Sequence, residues 1–256
     1  MPAPDVGREP TRWSADSTRD RARPRGRAGI RVRPRGRAGS GMTTVLLAHG
    51  SPDPRHSRTL ERLRERVADR LREAGRGDTV VVYIEHDHPR PHELGPTLAD
   101  EVTVVPMLIT PAFHARVDVP AAVRALGRGG APVRVAPALG GDPLLLDAVD
   151  ERLRAAGHDP DRPALLVAGG SSSGQAGQSI RTLLEAHPRP GWMTMTLAAP
   201  RAGAMTDRVV VPATLAEGVL HDKVAALAQG AGAPFVPGGL ADTAAVASLV
   251  LRRALG

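Results

Sequence analysis

The chain has 256 residues, which is enough for one large domain or two small ones with a real core. Phe, Trp and Tyr make up only 2% of it, so the core must come from Val, Leu, Ile and Ala. The absence of cysteine excludes disulfides, thiolate metal ligands and cysteine nucleophiles, so a metal site must use His, Asp, Glu or backbone oxygen. Since no run of about 18 apolar residues and no secretion signal occur, we expect a cytoplasmic protein without a membrane partner.

The net charge of +7 is concentrated in residues 1–41. That segment contains eleven arginines and four acidic residues, and the rest of the chain is balanced. The repeated heptamer RPRGRAG and the Pro and Gly content predict a disordered tail. A nucleic-acid-binding arm or a targeting peptide are alternatives, but we expect translation to start at Met42, one residue before the first predicted strand. The remainder gives no reason to expect a nucleic-acid partner.

Strands and helices alternate along the rest of the chain. Apolar runs predict strands at 43–48, 79–84, 102–109, 133–136, 164–168, 192–197 and 208–211. Helical spacing predicts helices at 54–74, 117–126, 143–156, 175–186 and 219–228, and 233–236 and 243–255 close the unit. This alternation predicts an α/β fold with parallel sheets flanked by helices.

Three local matches indicate an internal duplication. LLAHGS at 46–51 parallels LVAGGS at 166–171, VVPMLI at 104–109 parallels VVPATL at 210–215, and FHARV at 113–117 parallels LHDKV at 220–224. We therefore expect two similar lobes, 43–158 and 162–256, the second being a degenerate repeat. Two fused lobes can replace a homodimer of single lobes, which favours a monomer.

Three residues of types that can bind metals or accept protons follow predicted strands of the first lobe. His49 comes directly after the first strand, Glu85 ends the second, and His114 follows the third. Ligands of parallel α/β sheets lie beyond the carboxyl ends of the strands, so these side chains are expected at one crevice. Neutral imidazole suits divalent Co, Ni, Fe or Zn and also accepts protons. The alternative is that each histidine only bonds its own loop and that Glu85 is a surface carboxylate.

A histidine-rich loop follows Glu85 and contains His86, His88 and His92. Its composition is consistent with gathering or transferring a metal ion. A polar surface loop is the alternative interpretation.

The segments AHGSPDPRHS at 48–57 and VVPMLITPAFHARVDVP at 104–120 together resemble the sirohydrochlorin chelatases. These enzymes include the cobaltochelatases of cobalamin biosynthesis and the ferrochelatases of sirohaem biosynthesis. The resemblance implies a class II chelatase fold with the active-site cleft between two lobes. It also implies a lyase that inserts Co²⁺, or as a second choice Fe²⁺, into the tetrapyrrole sirohydrochlorin without an organic cofactor. His49 and His114 are then the metal-binding and catalytic residues, with Glu85 as a candidate third ligand.

The substrate of that family is rich in carboxylates, and candidate partners lie beside the two motifs. Arg55 and Arg116 are placed to pair with carboxylates, although a solvated surface is the alternative for both. Ser51 lies at the turn into the first helix, where backbone N–H groups bind anions; it is equally suited to capping that helix.

The second lobe departs from the pattern. Gly169 takes the place of His49, and His221 corresponds to His114 with a shift of one residue, so a second complete metal site is not expected. A competing hypothesis is a serine hydrolase, because GSSSG at 170–174 has the G-x-S-x-G form, with Ser172 as nucleophile and Asp207 and His221 following in order. A non-catalytic metal or tetrapyrrole carrier is the other alternative.

Overall fold

The computed structural model describes residues 41–110, 113–169, 175–201 and 203–256, without the side chains of 113–116, 175 and 176. The Arg-rich tail and the 170–174 turn with Ser172 lie outside the described residues. Met42 as the translation start therefore stays a prediction.

The first half of the described chain forms a four-stranded parallel sheet in the order β2-β1-β3-β4. Its strands are β1 (Thr43–Ala48), β2 (Asp78–Tyr83), β3 (Val102–Pro106) and β4 (Val133–Val135). Its helices are α1 (Pro54–Glu73), α2 (Pro91–Leu94), α3 (Phe113–Leu126) and α4 (Leu144–Ala155). Strand β1 is buried along its whole length, as the continuous apolar run of an inner parallel strand requires.

The second half forms a three-stranded parallel sheet in the order β6-β5-β7. Its elements are β5 (Ala164–Ala168), α5 (Gln175–Ala186), β6 (Met193–Thr196), β7 (Val209–Pro212), α6 (Val219–Gly230) and α7 (Ala244–Leu255). The segment 233–236 contributes a single bridge from Phe235 to Val210 rather than a strand. The predicted α/β fold with parallel sheets flanked by helices is confirmed.

The helix that follows β1 begins where its local sequence requires. Asp53 has extended backbone and its carboxylate accepts a hydrogen bond of 2.9 Å from the backbone N–H of Arg55. Pro54 occupies the first helical position, where its missing N–H costs nothing. The buried face that packs on the sheet includes Leu60, Leu63, Val67 and Leu71. This cap fixes the start of α1 directly beside the end of β1.

The two halves share one hydrophobic core. Helix α7, at the end of the second half, packs against α1, α4 and β3 of the first. Both carboxylate oxygens of Glu151 on α4 accept hydrogen bonds from the first backbone N–H groups of α7, at 2.7 Å from Ala244 and 2.8 Å from Ala245. The boundary between 43–158 and 162–256 is therefore a division of the sequence, while the core runs through both parts. Within the described ranges, every helix is too short or too polar to cross a bilayer.

Candidate active site

The carboxyl ends of β2, β1 and β3 lie side by side because β1 is the middle strand of the three. The ladder continues past the strand ends: Ile84 N donates to the carbonyl of Ala48 at 2.9 Å, and Glu85 N to the carbonyl of His49 at 2.7 Å. His49 and Glu85 are therefore neighbours on one edge of the sheet, as the sequence predicts.

The turn after His49 is pressed against the backbone of Glu85. Gly50 has φ +96°, and a β-carbon at this position would lie 1.8 Å from the carbonyl oxygen of Glu85. Only glycine fits this conformation and this contact together. The close approach holds the backbone of His49 against the end of β2.

His114 is the second residue of α3, which follows β3 on the other side of β1. The backbone thus places His49, Glu85 and His114 after three adjacent parallel strands. The side chains of His114 and Arg116 lie outside the described part of the structure. The roles predicted for both therefore stay predictions.

His49 is half-buried, and its Nδ1 lies 3.4 Å from the carbonyl oxygen of Gly50. The carboxylate of Glu85 is about half exposed, with Oε2 3.6 Å from Nε2 of His86. Among the side chains that the structure describes, no three His, Cys, Asp or Glu groups lie close enough to hold a metal ion. The predicted ligand set of His49, Glu85 and His114 includes one side chain outside that part.

A further histidine, His56, lies close to His49 but received no role from the sequence. It occupies the first turn of α1, and its Nδ1 is buried without a hydrogen-bond partner among the described residues. Burial lowers the pKa of His56, the nearby His49 lowers it further, and the carboxylate of Asp87 opposes the shift. The signal for it was its helical spacing, because His56 precedes the buried Leu60 and Leu63 on the same face of α1.

The histidine-rich loop does not converge on a point. Nδ1 of His88 lies 2.9 Å from the carboxylate of Glu93, which also accepts a 2.7 Å hydrogen bond from the backbone N–H of Arg90. The hydrogen bond from His88 and that from Arg90 lower the pKa of Glu93. In the described residues, His86, His88 and His92 do not form a group of three side chains that could hold a metal ion. The geometry favours the interpretation as a polar loop over metal handling.

Arg55 is bound to two carboxylates of the protein itself. Its guanidinium donates to Asp53 and, across to the second half, to Asp222 on α6, with Nη2 2.5 Å from Oδ2 of each. The hydrogen bonds from Arg55 lower the pKa of Asp53 to about 2, and they also lower the pKa of Asp222. This guanidinium connects the two halves, and the expected pairing of Arg55 with substrate carboxylates stays a prediction.

Ser51 is hydrogen-bonded to the same Asp53 that pairs with Arg55. Its Oγ accepts a hydrogen bond of 3.2 Å from the backbone N–H of Asp53, and its own N–H points at the carboxylate of Asp87 at 3.4 Å. Its hydroxyl therefore caps the turn into α1. The second half reaches this turn as well, since a β-carbon on Gly218 would lie 3.6 Å from Oγ of Ser51.

Among the described residues of the second half, the position corresponding to His49 shows no metal-binding group. Gly169 stands where the first half has His49, and a β-carbon on it would lie 3.0 Å from Cδ1 of Leu220. His221 is only 5% exposed; its Nε2 accepts from Gly238 N and its Nδ1 donates to Asp222, both at 3.1 Å. Both ring nitrogens are thus in use. The imidazole neither points a free lone pair at a metal nor serves as the base that the hydrolase hypothesis requires.

The family model of CbiX matches residues 43–156, which carry His49, Glu85 and His114. Among curated proteins, no relative matches the chain.

Three solved structures share the fold. DR2241 from Deinococcus radiodurans, a multi-domain protein with structural similarity to chelatases, is 23% identical, with a TM-score of 0.63 over 84% of this chain and 55% of that one. This chain thus spans about half the length of that protein. SirB from Bacillus subtilis with Fe³⁺ is 17% identical, with a TM-score of 0.67 over 83% of this chain and 94% of that one.

SirB from Bacillus subtilis subspecies spizizenii, a sirohydrochlorin chelatase in complex with cobalt, is 18% identical, with a TM-score of 0.60 over 84% of this chain and 94% of that one. At these identities the three likenesses establish the fold alone. The match to the family model establishes the family of residues 43–156. Residues 43–156 therefore form a CbiX-family domain within a chain that has the fold of the sirohydrochlorin chelatases.

Proposed function

We propose that this protein is a sirohydrochlorin chelatase, a lyase-class enzyme that inserts a divalent metal ion into the tetrapyrrole. The observation that supports this most strongly is the placement of His49, Glu85 and His114 after three adjacent parallel strands. The family match of residues 43–156 and the chelatase fold of the whole agree with it. No organic cofactor is needed, and the metal ion is a substrate.

Metal insertion requires removal of the inner pyrrole protons and of the water bound to the cation. In the proposed mechanism His49 and His114 bind the metal ion on one side of the ring and bring it to the pyrrole nitrogens. Insertion of a divalent ion releases two pyrrole protons. The carboxylate of Glu85, next to His49 on the sheet edge, is a metal ligand or accepts one of these protons, and the protons leave the site to solvent. These residues supply positioning and proton transfer, and the ring nitrogens supply the final ligands.

His56 contributes to this site by staying uncharged. Its lowered pKa keeps the buried imidazole neutral near neutral pH. A positive charge beside His49 would repel the incoming cation, and its absence favours metal binding. In this account His56 positions and shields His49, and it does not contact the metal.

We place Co²⁺ first as the metal and Fe²⁺ second. A site of imidazole and carboxylate ligands binds both ions, and at equal supply it binds Co²⁺ more tightly than Fe²⁺. The two SirB structures hold Fe³⁺ and cobalt, respectively. Initial rates with each ion under identical anaerobic conditions test the order: faster insertion of Fe²⁺ would reverse it and indicate sirohaem rather than cobalamin biosynthesis.

We further propose that the protein acts in the cytoplasm. We also propose that it is a monomer, because the two halves already share one core. Sedimentation of the full chain tests this, and a stable dimer at micromolar concentration would contradict it.

A carrier that binds metal and tetrapyrrole in the same cleft without turnover is the second candidate. The connection of both halves through Arg55 and Asp222 is compatible with simple binding as well as with catalysis. Counting product separates the two hypotheses, since an enzyme forms many equivalents of metallated ring per protein chain and a carrier forms at most one.

A further inference from the structure

Two large apolar side chains are exposed side by side at the start of α6. Val219 is 47% and Leu220 46% exposed, although neighbouring positions of the same helix, such as His221 and Val224, are buried. Exposed apolar side chains that adjoin a site offer surface to an apolar ligand.

The start of α6 lies beside the candidate active site. Gly218, which precedes it, abuts the Ser51 turn, with Oγ of Ser51 and Cβ of Asp53 each 3.6 Å from where its β-carbon would be. On the other side, Leu220 lies over Gly169 at the carboxyl end of β5. Leu220 thus lies against the strand end of the second half, two positions after the glycine that abuts the turn following His49.

The start of α6 is held firmly in this place. The ion pair of Arg55 with Asp222 ties the helix to α1, and the hydrogen bond from the backbone N–H of Gly238 to Nε2 of His221 ties it to its own half. The ring of His221 also packs edge-on against Phe235, with 5.3 Å between the centroids. A surface that is fixed in this way is preorganised for a ligand.

The second half differs from the first at the positions of the predicted histidine ligands. Glycine stands in the place of His49, the histidine that corresponds to His114 is turned inward, and the side chain of Leu220 lies against that glycine. The tetrapyrrole of the proposed reaction has a broad apolar face. With only 2% aromatic residues in the chain, aliphatic side chains are the available surface for that face.

We propose that Val219 and Leu220 form an apolar platform that supports one face of the tetrapyrrole ring, while the His49 side presents the metal ion to the ring. This inference rests on the proposed function and names substrate-binding residues in the half that lacks the metal site. The former copy of the site thereby binds the macrocycle instead of the metal.

The platform is tested by titrating metal-free sirohydrochlorin into the full-length protein without metal and following the ring absorbance. We expect Leu220→Ser to weaken binding by roughly fivefold to tenfold, since it removes most of one apolar contact. In the chelation assay the same variant should raise KM with kcat nearly unchanged, because the contact persists through the reaction. Leu220→Met, which keeps a large apolar side chain, should bind the ring about as tightly as the wild type.

Leu255→Ser is the matched control, because Leu255 is 41% exposed at the far end of α7. If Leu220→Ser binds the ring as tightly as the wild type, the platform is overturned while the chelatase proposal stands. If the ring binds at the platform and no metal is ever inserted, the platform stands and the chelatase proposal fails. If the wild type does not bind the ring at all, both fail.

Discussion

Arg55 and Asp222, separated by 167 positions in the chain, are joined by two hydrogen bonds of 2.5 and 3.2 Å. The pair connects the cap of α1 to the first turn of α6 and so joins the His49 turn to the apolar start of α6. Both side chains are partly exposed, so the pair contributes little to overall stability. Its effect is on the relative position of the two halves at the candidate site.

The ion pair makes stability depend on pH in the acid range. The folded-state pKa of Asp53 is lowered to about 2, and that of Asp222 is also lowered, so their contribution is complete above the ordinary value of 3.8 and is lost as pH falls below it. We expect Asp222→Asn to make the melting temperature fall less steeply across this window. Thermal unfolding between those limits measures it, with Asp69→Asn, which breaks a pair inside α1, as the control. Equal slopes for wild type and Asp222→Asn would refute the assignment.

Gly50→Ala tests the contact between the His49 turn and β2. Alanine must adopt φ +96° and must also displace the carbonyl of Glu85. Gly75→Ala is the matched control, because Gly75 has φ +75° with nothing within 4 Å of an added β-carbon. We expect a cost of about 1–2 kcal/mol for the control and about 2 kcal/mol more for Gly50→Ala in denaturant unfolding. Similar losses would mean that the contact yields easily.

His221→Ala separates structure from catalysis. The substitution leaves the N–H of Gly238 without its acceptor in a buried place, so we expect a stability loss of about 2 kcal/mol. At saturating substrate, metal insertion per folded molecule should stay close to that of the wild type. His49→Ala should show the opposite pattern, with a stable fold and no turnover. A loss of turnover in His221→Ala at temperatures where it remains folded would place His221 in the active site.

Burial of His56 predicts a loss of stability below the ordinary histidine pKa. Its folded pKa is lowered below 6.5, so the unfolded chain binds the proton more readily, and stability falls as pH falls below 6.5. His56→Leu should remove this part of the decline while leaving stability at higher pH intact. Melting curves on both sides of that value test it, with the exposed His187→Leu as control. An unchanged decline in His56→Leu would show that His56 is charged in the folded protein.

Replacement of His86, His88 and His92 together by alanine should leave chelation at limiting metal unchanged. The three side chains do not converge, and His88 already pairs with Glu93. The assay is the rate of insertion with metal below the protein concentration. A clear rise in the metal concentration needed for half-maximal rate would show that the loop gathers metal.

The sequence predicted the local structure where burial determines composition. Strands 43–48 and 164–168 coincide with β1 and β5, because buried inner strands are continuous apolar runs. The third predicted strand extended to 109, whereas β3 ends at Pro106, and one further backbone hydrogen bond, from Met107 to Leu47, follows it. The placement of His49 and Glu85 on one sheet edge also followed from the strand pattern.

Long-range partners could not be predicted in this way. Nothing local indicates that Arg55 pairs with Asp222 rather than with a substrate, because its partner lies in the other half of the chain. His221 resembles a ligand in its motif but is turned inward by Gly238 and Asp222. Such choices depend on the packing of α6 against the first half, which only the folded structure shows.

The proposed chelatase site is tested most directly by mixing the full-length protein anaerobically with sirohydrochlorin and Co²⁺ or Fe²⁺ and following the absorbance of the metallated ring. The matched variant is His49→Ala combined with His114→Ala, and melting curves confirm that both proteins are folded. We predict many equivalents of product per chain for the wild type and only the uncatalysed rate for the variant. A wild type that does not exceed the uncatalysed rate, or a variant that equals the wild type, would contradict the proposed chelatase site.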